Sequence, residues 1–316
     1  MTIINLPKIA IGTWSWGVGG FAGGDKVFGA NLQERDLLDV FKLSQKLGLN
    51  LYDTATVYGN GSSEKILGNL IAENKAKAII STKFTAQIAD YKENCMARML
   101  ENSKANLHTD TIDIYWLHNS MDSQMWIKEA ITLYKQGKIN NIGISNHNFE
   151  QIKQIHAILK EAGVKLFAVQ NHFSLLYQSK DVQNILAYCK ENDIIFFSYM
   201  ILEQGALTRK YNAAHPFKEG TGRALAYNDK FNEIDKITAQ LADIANKKVT
   251  SISQVVIAWA IAKGTLPIIG VTNTSQLEDA YKATQLKISA EDIASLDNIA
   301  RKTTVNLQRD WEEGMN

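Results

Sequence analysis

The segment Ile194–Tyr199, IIFFSY, is apolar at four successive positions before its first hydroxyl. A strand with one wet face alternates apolar and polar residues, whereas one covered on both faces does not. The segment therefore reads as a strand of a parallel sheet with helices on either side. Similar short runs stand at Lys8–Thr13, Asn50–Asp53, Ala78–Lys83, Ile112–Leu117, Asn141–Ser145, Phe167–Asn171 and Leu266–Val271. Amphipathic helical patterns separate them, at Gln33–Leu47, Glu64–Glu73, Glu93–Leu107, Gln124–Gln136, Glu150–Ala162, Asp181–Glu191 and Gln254–Lys263. Two more, Thr274–Ala283 and Ser289–Arg301, follow the last strand. Asn31, Ser63 and Asn148 are the expected N-caps.

Eight strand–helix units imply right-handed parallel crossovers. An open doubly wound sheet and a closed barrel both fit that pattern. Eight units in 316 residues favour an α/β fold built as a (β/α)8 TIM barrel, with extra loops and C-terminal helices. No Pro/Gly/Ser-rich linker divides residues 1–316, so one domain is expected. Two stretches break the regular beat: the loop WSWGVGGFAGGDKVFGAN at 14–31, and Glu203–Asn232, which precedes the helices leading to the eighth strand. Both follow strand carboxyl ends, where barrel active sites lie. GVGGFA partly imitates a dinucleotide fingerprint, but no apolar-periodic helix follows it as that motif requires.

The net charge of +1 leaves no electrostatic footprint for nucleic acid or an anionic membrane. No stretch approaches the ~20 apolar residues of a membrane span. The N-terminus lacks the basic start and apolar run of a signal peptide. Cys95 and Cys189 are far apart, so neither a disulfide framework nor a cysteine-based metal site is expected. Together these features predict a cytoplasmic protein.

Ionisable and polar groups gather at the strand carboxyl ends: Asp53 and then Tyr58 after the second, Lys83 at the third, and His118 at the fourth. Ser145 and Asn146 follow at the fifth, and Gln170 and Asn171 at the sixth. Reducing a carbonyl needs a hydride on carbon and a proton on oxygen. A free tyrosine, with pKa ~10, donates reluctantly near neutrality. A neighbouring ammonium is expected to lower that pKa, and a carboxylate keeps the ammonium charged and in place. A neutral imidazole can hydrogen-bond the carbonyl oxygen. Side chains carry no hydride, so a cofactor is required.

The order Asp53 and Tyr58 in DTATVYG, then Lys83, then His118, resembles the catalytic tetrad of the aldo-keto reductase superfamily. GISNHN at 143–148 is similar to that family's GVSNF segment, and VQNHFSLL at 169–176 to its VQNxYSLL segment. YMILEQGALTRKY at 199–211 resembles YSPLxQGLLTGKY, and GTWSWG at 12–17 resembles its first strand end. The resemblance runs in order over roughly residues 9–284.

It implies NAD(P)H-dependent reduction of aldehydes or ketones, with NADPH preferred and NADH as the alternative. Tyr58 is then the acid, Lys83 and Asp53 tune it, and His118 orients the substrate. Thr13 and Trp14 join the cofactor site. Ser145, Asn146 and Gln170 hold the nicotinamide carboxamide, and Tyr199 stacks on its ring. Met200, Ile201, Leu202 and Gly205, with Lys210 and Arg223, meet the pyrophosphate. Gly270, Thr272 and Gln276 hold the adenosine end, and Asp279 contacts the adenine. The family often has Arg or Lys where Thr272 stands, and Asn where Ala280 stands. YSPL is YMIL here, and His147 replaces a phenylalanine.

Rival readings keep the same residues. One is a cofactor-sensing subunit resembling the potassium-channel β subunits. Another is a non-redox barrel using Lys83 as a Schiff base. Trp14, Trp16, Phe21, Phe28 and Trp116 each read singly as barrel-lid packing, and as a set near the active rim as walls of an apolar substrate pocket. His108, His147, His156, His172 and His215 read as structural or exposed. Neither the physiological substrate nor the oligomeric state is encoded legibly.

Overall fold

A computed structural model describes residues 5–312 and Met315. Among these residues, eight parallel strands close into a barrel in chain order. They are β1 (Ala10–Gly12), β2 (Leu51–Asp53), β3 (Ile79–Phe84), β4 (Ile114–Leu117), β5 (Ile142–Ser145), β6 (Leu166–His172), β7 (Ile195–Tyr199) and β8 (Leu266–Gly270). Every expected strand is present, with its ends trimmed or extended by one or two residues. No helix among the described residues is long and apolar enough to cross a membrane.

The helices are α1 (Gly24–Val27), α2 (Glu34–Lys46), α3 (Ser62–Glu73), α4 (Cys95–Leu107), α5 (Ser123–Lys135), α6 (Phe149–Glu161), α7 (Val182–Glu191), α8 (Gly222–Tyr227), α9 (Phe231–Lys247), α10 (Ile252–Ala262), α11 (Thr274–Ala283) and α12 (Ala290–Lys302). The sequence reading assigns no bounds to α1, α8 or α9. The first two are one or two turns inside the irregular loops. In α9, Phe231, Ile234, Thr238, Leu241 and Ala245 bury one face at helical spacing.

The caps correct two expectations. Asn148 does cap α6, in a reciprocal box with Gln151. Gln33 rather than Asn31 caps α2, in a box with Asp36, and Asn31 accepts a bond from the Gln33 amide. Gly61 opens α3, at φ 86°, a conformation glycine adopts without strain. Ser63 lies inside the first turn, where its hydroxyl donates to the Thr13 carbonyl.

The barrel interior is filled by Ala10, Leu51, Ile114, Trp116, Phe167, Ala168, Phe197 and Leu266. Trp116 meets Phe197 edge-on at 5.1 Å. Across from it stands Gly143, where a Cβ would lie 2.2 Å from the indole. Trp116 is therefore the floor of the site and not a wall of it. Its indole nitrogen donates to Ser81, and Ser81 donates to Asp53, so the plug carries the polar layer above it. Trp16 is also fully buried, donating to the Val271 carbonyl, and does not face a pocket.

Candidate active site

Barrel register explains why distant residues meet. Asp53 of β2 lies level with Ser81 of β3. Lys83, two residues on, faces the same way as Ser81 because strand side chains alternate. Its ammonium lies 2.5 Å from Asp53 Oδ2 and 2.7 Å from the Thr54 carbonyl. The Tyr58 hydroxyl is 3.5 Å from the same nitrogen. Lys83 is fully buried and Asp53 nearly so. Asp53 Oδ1 accepts from Ser81 at 2.8 Å and from the Gln170 amide at 3.1 Å. Every strong acceptor site of the carboxylate thus has a donor, which makes a buried ion pair tolerable.

His118 follows β4 and sets its ring edge-on to Tyr58 at 6.0 Å. Its Nδ1 lies 2.8 Å from the Thr85 hydroxyl. Burial, assisted by the Lys83 charge, pushes His118 well below the usual histidine range, so the ring is neutral. Burial also lowers Lys83, against the pull of Asp53. Tyr58 departs from expectation. Burial, then the Asp53 charge, raises the phenol well above 10. In the resting site Lys83 lies closer to Asp53 than to the phenol. The phenol keeps its proton.

A cavity of about 1190 Å³ opens above these groups, larger than the ~300–1,000 Å³ of common ligand pockets. It extends from Tyr58 and His118 past Tyr199 and Arg223 to Thr272 and Asp279. An elongated dinucleotide matches that outline.

A family model described as the aldo/keto reductase family matches residues 8–301. This chain belongs to the aldo/keto reductase family. It is similar to a chloroplastic pyridoxal reductase of Arabidopsis thaliana, with 30% identity covering 95% of this chain and 85% of that protein. An aldo-keto reductase of Bacillus subtilis is 28% identical, covering 96% and 92%. Among solved structures, a glycerol dehydrogenase from Gluconobacter oxydans shares the fold with a TM-score of 0.80 at 22% identity, covering 98% of this chain and 96% of its own. An aldo/keto reductase from Klebsiella pneumoniae in complex with NADP and acetate gives 0.73 at 21%, covering 96% and 95%.

In this aldo-keto reductase, the residues expected around the cofactor line the cavity, with one exception. Thr13 is fully buried beneath it, its hydroxyl donating to the Asp53 carbonyl and lying 2.8 Å from the Ser63 hydroxyl. Trp14 lines the mouth instead, stacked on Tyr58 at 5.6 Å with 18° between planes. Met200, Ile201, Leu202 and Gly205 form the loop after β7, and Met200 has φ 61°. Ser145, Asn146 and Gln170 meet at the centre. The Asn146 amide is already engaged, donating to the His118 carbonyl, and its oxygen lies 2.5 Å from the Tyr199 hydroxyl.

The far end also fits a dinucleotide. The Arg223 guanidinium lies over Phe217, Tyr211 and Phe28 at 4.5, 5.0 and 6.0 Å. Its buried Nε has no hydrogen-bond partner among the described residues, which suits an incoming phosphate. Lys210 and Gly270 line the same channel. At the adenosine end, Gln276 Oε1 accepts from the Thr272 amide and hydroxyl, and Asp279 is tied down by Ser251 and Gln254.

Two sets of residues escape the sequence reading. Thr85 is one, and its only signal is its place two residues after Lys83. The other is a buried cluster around His172. His172 Nε2 lies 2.9 Å from Glu203 and Nδ1 2.7 Å from Glu312. Both nitrogens face carboxylates, so both carry protons. Burial alone would lower this histidine, but the two glutamates outweigh it and raise it to about 9.

Proposed function

We propose that this aldo-keto reductase reduces flat aromatic aldehydes, pyridoxal-like compounds among them, to alcohols with NADPH, and accepts NADH as well. The supporting observation is the convergence of Tyr58, Lys83 and His118 on one end of a cavity long enough for a dinucleotide. The aromatic lining from Trp14, Phe28 and Phe21 suits a flat ring, and the pyridoxal reductase relative supports that substrate class. The separate, buried and free Cys95 and Cys189 support a place in the reducing cytoplasm.

When bound, the cofactor supplies the hydride. Thr85 donates to Nδ1 of His118, which leaves the proton on Nε2 to hold the substrate carbonyl oxygen. As the new C–H bond forms, Tyr58 gives its proton to that oxygen. Lys83 stabilises the phenolate left behind, and Asp53 holds Lys83 there. The indole of Trp14 shields the phenol from water on one face.

Turnover of pyridoxal, benzaldehyde and a small aliphatic aldehyde with NADPH and NADH side by side tests the reading. Both cofactors support reduction, with affinities within about ten-fold. The charge-assisted contact to a 2′-phosphate, worth ~1.5–3 kcal/mol, is missing at Thr272. Binding of cofactor without reduction of any aldehyde would point instead to a sensing role.

A further inference from the structure

The chain from Leu307 to Glu312 returns across the carboxyl end of the barrel after α12. Leu307 is buried, and Arg309 lays its guanidinium over the Tyr227 ring at 4.7 Å. Glu312 is fully buried, and Trp311, beside it, is 40% exposed and lines the large cavity. One Glu312 oxygen accepts from His172 at 2.7 Å and from the Tyr199 hydroxyl at 2.8 Å. The other accepts from the Arg309 backbone amide at 2.9 Å. A carboxylate is taken from water only where charge and hydrogen bonds compensate for lost hydration. The imidazolium of His172, held from its other side by Glu203, supplies that charge. Tyr227 donates to the same Glu203 at 2.7 Å and carries Arg309 on its face, so the tail grips this cluster twice. A loosely draped tail would leave its carboxylate in water.

The consequence is at Trp311. Its ring stands edge-on to Trp14 at 6.0 Å, and its indole nitrogen donates to the Tyr199 hydroxyl at 3.2 Å. Trp14 in turn stacks on Tyr58. One indole from the first loop and one from the tail therefore frame the approach to the phenol.

We propose that Glu312 is a positioning residue that latches the tail to His172 and Tyr199, and that the latched Trp311 sets the preference for aromatic over aliphatic carbonyl substrates. This rests on the reductase reading above. Aromatic pairs prefer edge or offset contacts, and a substrate ring held between two indoles gains from both. A short aliphatic aldehyde gains little from either.

The test compares kcat and KM for benzaldehyde and propanal in wild type, Trp311→Ala, Trp311→Phe and Glu312→Gln, each with NADPH. A second readout is amide hydrogen exchange of residues 307–312 in the protein alone. The ratio of kcat/KM for benzaldehyde to that for propanal falls about ten-fold or more in Trp311→Ala, mainly through KM. Trp311→Phe keeps most of the ratio. Glu312→Gln lowers it as Trp311→Ala does, and exchange in 307–312 accelerates at least ten-fold. An unchanged ratio in Trp311→Ala would overturn the proposal for Trp311. Protected amides and an unchanged ratio in Glu312→Gln would overturn the latch. If wild type reduces neither aldehyde, the reductase reading itself fails.

Discussion

Tyr58→Phe loses carbonyl reduction by about three orders of magnitude, within the ~10²–10⁴ that a positioned general acid contributes. NADPH affinity stays within about three-fold, because Trp14, Arg223 and the loop after β7 are untouched by loss of one hydroxyl oxygen. Steady-state rates and a fluorescence titration measure the two effects. Activity within ten-fold of wild type would remove Tyr58 from the reaction. The pH dependence follows from the same group. Burial and the Asp53 charge raise the phenol above 10, so the acid form persists and wild-type reduction stays level from neutrality to about pH 9. A decline beginning near pH 7 would contradict that.

Lys83→Met has the second large effect, on stability as well as rate. It leaves the nearly buried Asp53 carboxylate with the Ser81 and Gln170 donors but no counter-charge. Breaking a buried ion pair from one side costs ~3–5 kcal/mol, much of it for the stranded charge. Asp53→Asn combined with Lys83→Met removes that charge and recovers most of the loss. Neither variant reduces aldehydes at more than about a hundredth of the wild-type rate, since the proton donor loses the support of its phenolate. Urea unfolding and turnover assays read both effects. A single variant as stable as wild type would show that the pair is not strained by burial.

The reach of the sequence follows from physics acting at different ranges. Strand patterns such as IIFFSY are local, and eight of them in one chain leave few topologies. Asp53, Tyr58, Lys83 and His118 were legible because strand carboxyl ends share one rim whatever the loops do. Thr13 and Trp14 are adjacent in sequence but face apart: Thr13 turns its hydroxyl inward to Asp53 and Ser63, while Trp14 faces the cavity. Trp16 and Trp116 look like pocket walls by composition, and only packing shows that each is enclosed. The His172–Glu312 contact joins residues 140 positions apart, and nothing in the spacing of the tail announces that its glutamate is buried. The direction in which burial and Asp53 push Tyr58 is hidden from the sequence for a related reason. The sequence names Lys83 as a neighbour but does not reveal that Asp53 holds its charge more closely than the phenol does.

The most direct test of the central claim follows the hydride itself. NADPH deuterated at the transferable C4 position is incubated with benzaldehyde and the protein, and the benzyl alcohol is examined by mass spectrometry and proton NMR. The account predicts one deuterium on the carbinol carbon of each alcohol molecule, with product formation abolished in step with Tyr58→Phe. Alcohol formed without the label, or label transfer unaffected by Tyr58→Phe, would contradict it.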